Sequence, residues 1–184
     1  MYQLGTRLLI VVTLAAFGVA LFACDVPGGG DGILRPAAPQ TMQEQAAREL
    51  GEGLHDNTAL ERLDPDLVEA VLAAAEDAEA DGIDLRVTSG WRSTAHQERL
   101  FEEALVKYGS AEEASRWVAS PESSAHVTGD AVDIGPTDAA LWVGQHGAAY
   151  GLCQTFANEI WHFELATTPG GECPAMLADG SAER

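Results

Sequence analysis

Ser124-Ala-His-Val-Thr-Gly-Asp-Ala-Val-Asp133 sets His126 and Asp133 seven residues apart, with Gly129 between them. Glu159-Ile-Trp-His162 adds a second histidine, with a glutamate three residues before it. Two imidazoles and one carboxylate hold a zinc ion and leave a coordination position open. The remaining glutamate is then placed to accept a proton. These two stretches together point to a zinc hydrolase.

Each residue taken singly has a plainer reading. His126 is an ordinary loop histidine, Asp133 a cap or turn residue, His162 a satisfied half-buried histidine, and Glu159 a solvent-exposed loop acid. The combination is more informative. Gly129 lets the backbone fold tightly between His126 and Asp133. Asp133 alternates with Val132 and Ile134 on a strand, so it lies off the apolar face. A carboxylate buried there without a cation or donor would be costly. His162 sits on the polar face of a strand whose other face carries Trp161, Phe163 and Leu165. Glu159 and His162 fall on opposite faces of a straight strand, so their convergence requires a bend at Asn158 to Ile160.

Around these blocks the pattern alternates between helix and strand. Asp64-Pro65 is an N-cap followed by a helix-initiating proline, and Leu67, Val68, Val71, Leu72, Ala75 and Ala78 form an apolar stripe that ends at Gly82. Ile83, Leu85 and Val87 alternate with polar residues as a half-buried strand. A helix from Thr94 buries Leu100, Phe101, Ala104, Leu105 and Tyr108 and stops at Gly109. Ser110 and Glu113 have capping-box spacing. Ala131 to Ile134 is a strand, Thr137 to Ala149 a helix, and Trp161 to Leu165 a strand. Residues Met42 to Leu54 read as a loosely packed helix. The fold class is α+β, with a small, mostly antiparallel sheet flanked by helices.

The chain has 184 residues, 46% of them hydrophobic, and a net charge of -19. That charge argues against a nucleic-acid surface, which needs clustered Lys and Arg. Leu8 to Ala23 is an uncharged apolar run behind Arg7, the layout of an export signal. Leu21-Phe22-Ala23-Cys24 resembles a bacterial lipoprotein signal, with lipidation at Cys24; an uncleaved anchor and plain secretion are the alternatives. All three place the domain outside the cytoplasm, at the cell envelope. The expected organisation is an export or anchor segment over 1–24, a Gly- and Pro-rich tether over 25–40, a catalytic domain over 41–178 and a polar tail over 179–184. Cys153 and Cys173 flank Glu159 and His162; in an exported protein they point to a disulfide, with extra metal ligation as the alternative.

Ser124, His126, Gly129, Ala131 and Asp133, joined by Glu159-x-x-His162 and the upstream Ser89-Gly90-Trp91-Arg92-Ser93, resemble the vancomycin-resistance type of D-alanyl-D-alanine carboxypeptidase. That family groups with zinc D,D-dipeptidases and hedgehog-like domains, and the resemblance spans roughly Leu63 to Leu165. It implies zinc held by His126, Asp133 and His162, with Glu159 as general base. Arg92 is implied to stabilise the oxyanion, a role suited to its fixed donors and permanent charge. Gln97, Ser124 and Trp91 are implied to face substrate, Trp91 as an aromatic wall where many members have tyrosine. Ile160 stands where proline is frequent, so the bend at Glu159 is less rigidly specified. The implied substrates are peptidoglycan stem peptides ending in D-Ala. A peptidoglycan endopeptidase, an L,D-carboxypeptidase and a non-catalytic zinc-binding module are the alternatives, the last disfavoured by Glu159 and Arg92.

Overall fold

A computed structural model describes residues 58–182 of the chain. The export run, Cys24, the tether and the expected helix at Met42 to Leu54 lie outside the described residues. Among the described residues no helix is long and apolar enough to cross a membrane.

Helix α1 (Thr58–Glu61) leads into α2 (Pro65–Ala80). Asp64 caps α2 as its sequence suggests, its carboxylate accepting from the amides of Asp66 at 2.8 Å and Leu67 at 3.3 Å. Leu67, Val71, Ala74 and Ala78, at helical spacing, bury the inner face of this helix. Strand β1 (Arg86–Ser89) is shorter than the alternating pattern implies, because Ile83 and Asp84 precede its pairing. Helix α3 (Thr94–Tyr108) starts at the Ser93 cap and ends at Gly109. Its stripe is only half-buried; Gln97 and Ala104 are its fully buried residues. Helix α4 (Ala111–Ser115) is capped by Ser110, whose hydroxyl accepts from the Glu113 amide.

Helix α5 (Ala125–Thr128) is followed by β2 (Ala131–Gly135), α6 (Thr137–His146), a 3-10 turn (Gly147–Tyr150), β3 (Leu152–Gln154) and β4 (His162–Leu165). The four strands form one antiparallel sheet in the order β1-β2-β4-β3. On one face Val87, Val132, Ile134 and Phe163 pack against the apolar sides of α2 and α6. Trp142 and Tyr150 tie the far end of α6 to that of α2 through Asp81 (2.9 Å) and Asp77 (2.6 Å).

The opposite face carries polar side chains. Because side chains alternate along a strand, Ser89, Asp133 and His162 line up as one row across β1, β2 and β4. All five residues of β2 are buried, so its polar face is enclosed as well. Cys153 and Cys173 are joined by a disulfide. Beyond it the tail pairs with the β3–β4 loop: Leu177 exchanges backbone hydrogen bonds with Thr155 (2.9 Å) and Ala157 (2.8 Å). The polar tail itself reaches Arg116, through Asp179 at 3.9 Å.

Candidate active site

Three elements deliver the candidate ligands. The one-turn helix α5 raises His126, β2 carries Asp133, and β4 carries His162 directly opposite Asp133. Gly129 closes α5 in a left-handed conformation, φ +91°, which turns the chain at once into β2. Donor atoms of His126, Asp133 and His162 all lie within 4.8 Å of one another. All three residues are at least nine-tenths buried.

The two imidazoles are oriented from behind. His126 Nδ1 is 2.8 Å from the Gly90 carbonyl oxygen, which can only accept, so this nitrogen carries the proton. The Arg92 amide donates back to the His126 carbonyl at 2.9 Å, docking the Gly90–Arg92 turn on α5. His162 Nε2 is 2.9 Å from Glu164 Oε1. The remaining nitrogens, His126 Nε2 and His162 Nδ1, both face Asp133 Oδ1, at 3.3 and 3.4 Å. That oxygen is buried and has no hydrogen-bond partner among the described residues. Two ring lone pairs aimed at a carboxylate oxygen repel one another unless a cation or proton lies between them. The donor set therefore fits a metal ion with nitrogen and oxygen preference, of which zinc is the common case.

The titration behaviour of these groups follows from the same geometry. Burial lowers the His126 pKa, and the Asp133 contact does not make up for it. Burial also acts to lower that of His162, but Asp133 and Glu164 together raise it to about 9. Burial works against Asp133 ionisation, yet the two imidazoles and Arg92 hold its carboxyl well below the usual carboxylate range.

Glu159 reaches the same point through the bend that its spacing requires. Two successive turns, Glu159 N–H to Phe156 O (3.3 Å) and His162 N–H to Glu159 O (3.2 Å), fold the chain without proline. Its Oε2 stands 3.9 Å from His162 Nδ1. Arg92 spans the other side of Asp133: Nη2 is 2.7 Å from Oδ2, and Nε and Nη2 both donate to Ser89 Oγ. One Nη1 hydrogen points to Gln97 Oε1 at 3.4 Å. Of the five guanidinium donors, one Nη1 hydrogen is left without a partner among the described residues.

These groups line a cleft of about 220 Å³ that also contains Ser124 and Gln97. Ser124 is buried at the N-cap of α5, but its side chain makes no capping bond. Gln97 is buried, and both ends of its amide are in use, on Arg92 and on the Ala119 carbonyl (2.8 Å). It holds Arg92 and the 119 loop in place. Trp91 does not line the cleft. Its indole N–H donates to Val127 O at 3.0 Å and Arg62 lies 4.3 Å above its ring, which turn it toward the core. The aromatic side chains that line the cleft are instead Trp117, Phe156 and Trp161.

Sequence reasoning missed the supporting residues Ser89 and Glu164. Ser89 lies in the quoted Ser89–Ser93 block. Glu164 follows His162 by two positions, the spacing of one strand face, and that signal was available.

Comparison with known proteins covers the stretch of chain that holds the site. The family model VanY, described as D-alanyl-D-alanine carboxypeptidase, matches residues 60–167. A D-alanyl-D-alanine carboxypeptidase of Enterococcus faecalis is 30% identical over 111 residues, covering 47% of this chain and 41% of that protein. The chain thus matches less than half the length of this curated relative. Two solved structures share the fold. One is a vancomycin-resistance D,D-pentapeptidase VanY variant from a VanB-type cassette in complex with Zn(II), with TM-score 0.51, 24% identity, and coverage of 55% of this chain and 71% of that one. The other is VanYB in complex with D-alanine-D-alanine, with TM-score 0.52, 24% identity, and coverage of 55% and 70%.

Proposed function

This chain belongs to the VanY family of D-alanyl-D-alanine carboxypeptidases, and from that premise we propose that it is a zinc enzyme removing the C-terminal D-Ala from peptidoglycan stem peptides. The observation that carries the reading is Asp133 Oδ1, buried, without a hydrogen-bond partner among the described residues, and faced by one nitrogen from each of two histidines. His126, Asp133 and His162 would hold the ion. When bound, zinc supplies Lewis-acid polarisation of water and of the scissile carbonyl.

The chain's own residues divide the remaining work. Glu159 sits beside the ligand set and is the general base, accepting a proton from water and returning it to the leaving amine. Arg92 is held rigidly by Ser89, Asp133 and Gln97, so its remaining Nη1 donor is preorganised for the developing oxyanion. Ser124 lines the cleft within the same block as His126 and contacts the substrate carboxylate or carbonyl. Gln97 acts through Arg92. The cysteine bridge anchors the tail beside the strand that carries His162.

A D-Ala-terminated substrate belongs to the cell envelope. The export signature over 1–24 and lipidation at Cys24 put the domain on that side of the membrane, with residues 25–40 as its tether. Cys24→Ala then releases the protein into the soluble fraction; unchanged membrane association would speak for an uncleaved anchor.

The decisive experiment is mass spectrometry of a stem pentapeptide ending in D-Ala-D-Ala after incubation with purified protein. Loss of a single D-Ala is expected, abolished by chelation and restored by zinc. No cleavage, or cleavage indifferent to chelation, refutes the proposal. Cutting only tetrapeptides or cross-linked dimers would reassign the chain to L,D-carboxypeptidase or endopeptidase action. Glu159→Ala should retain zinc and lose on the order of 10² to 10⁴ in rate; wild-type turnover would remove Glu159 as the base.

A further inference from the structure

We propose that Glu164 is a positioning residue that presents His162 Nδ1 to the metal, an inference that rests on the zinc reading of the site. The two histidines are held from behind in different ways. His126 gives its rear N–H to a neutral backbone carbonyl, that of Gly90. His162 has a carboxylate at its rear instead, with Nε2 to Oε1 at 2.9 Å. An ionised carboxylate only accepts, so it fixes the proton on Nε2 and leaves the Nδ1 lone pair facing Asp133 Oδ1.

The placement is built into the sheet. Glu164 follows His162 by two residues on β4, so both side chains rise from the same face. Strand β4 is flanked on both sides, with Glu164 opposite Ala131 of β2 and Cys153 of β3. Its backbone position is therefore fixed from both edges. The ring of Phe156 lies 5.1 Å from that of His162, which limits rotation of the imidazole further. Glu164 is not part of the cleft lining, so it acts through His162 and does not touch substrate. A charged acceptor also makes the ring a better donor to a metal than a neutral one does.

The test compares zinc affinity, measured by competition with a chromophoric chelator, in the parent, Glu164→Ala and Glu164→Gln. Glu164→Ala should bind zinc about 10- to 100-fold more weakly, with rate at saturating zinc much less affected. Glu164→Gln keeps an acceptor oxygen of the same shape and should recover most of the loss. The absorption bands of the cobalt-substituted protein should shift in Glu164→Ala and return toward the parent in Glu164→Gln; a merely structural role would not move them. Affinity of Glu164→Ala within about twofold of the parent overturns the proposal. If Glu164→Ala does not fold, Glu164→Leu, which also lacks the acceptor but fills more of the space, takes its place: a loss of about threefold or more supports the proposal, and none overturns it. A parent protein that binds no zinc sinks the site reading and this inference together. A parent that binds zinc, with unaffected variants, sinks this inference only.

Discussion

Replacing Gly129 by alanine separates two costs that usually come together. Gly129 and Gly109 both end helices in the left-handed region, at φ +91° and +82°. An alanine pays roughly 1–2 kcal/mol for that conformation at either position. Around Gly109 an added Cβ meets nothing within 4 Å, so Gly109→Ala should cost only that. At Gly129 the Cβ collides with the Arg62 carbonyl oxygen and also touches Leu63 Cα at 3.4 Å. Those are backbone atoms, and they cannot swing aside as a side chain would. Relief requires moving the α1–α2 connection, at about 1–3 kcal/mol for overpacking. It also strains the 2.9 Å hydrogen bond from the Asp64 amide to the Gly129 carbonyl, worth about 1 kcal/mol. Gly129→Ala therefore loses roughly 3–6 kcal/mol, against about 1–2 for Gly109→Ala. At about 4 °C per kcal/mol for a domain of this size, Tm falls by roughly 12–24 °C in one case and 4–8 °C in the other. Circular-dichroism melts of both variants measure the difference. Gly129 also sets the angle between α5 and β2, so zinc affinity should drop in Gly129→Ala and hold in Gly109→Ala. Equal Tm shifts would refute the steric reasoning, and unchanged zinc binding by a folded Gly129→Ala protein would refute its link to the site.

Other expectations follow from single contacts. Arg92→Lys keeps the charge but not the fork that grips Ser89 and Asp133, so kcat/KM should fall on the order of 10²; steady-state kinetics within about threefold of the parent would remove Arg92 from the transition state. Cys153 and Cys173 are 20 residues apart, and opening that loop should cost about 3 kcal/mol. Replacing both by serine, or reducing the parent, lowers Tm, and an unaltered melt after verified reduction would contradict it. The Tyr150 phenol is pushed up to about 12 by burial and by its hydrogen bond to Asp77. A raised phenol contributes stability that is fully present below its unfolded pKa of about 10 and is lost as pH rises through about 12. The stability gap between the parent and Tyr150→Phe should therefore close over that range; a gap independent of pH refutes the assignment.

What could be read from the sequence depended on how local the cause was. Asp133 and His162 were legible because residue type and strand alternation together specify them, and His126 through its spacing from Gly129 and Asp133. Asp64 and Ser110 announced their helices because a cap acts within three residues. The helix α5 was not visible, since four residues show no period, and β3 with three residues was equally silent. The placement of Trp91 depends on Arg62 and Val127, distant partners that only the fold brings near. The half-buried alternation expected of β2 became full burial because the polar side is covered by the site itself. Beyond Thr167 the chain is rich in Gly and Pro and shows no apolar period, yet Leu177 pairs with the β3–β4 loop and Gly180 reaches the cleft. Its order comes from the disulfide and from the partner strand, neither of which lies within the tail's own sequence.

Charge explains why this constellation suits a divalent ion in particular. Three carboxylates converge on the His162 ring: Glu164 at 2.9 Å, Asp133 at 3.4 Å and Glu159 at 3.9 Å. Arg92 answers Asp133 at 2.7 Å. Asp133 and Glu164 pull the pKa of the His162 imidazole up against its own burial. His126 is pulled the other way, first by its burial and then by the positive charge of Arg92 and His162 nearby. A doubly charged ion among His126, Asp133 and His162 would answer these carboxylates without asking either ring to be protonated. Loss of Glu164 would remove the acceptor behind His162 Nε2, and for that reason its effect should appear first in metal affinity and only second in turnover.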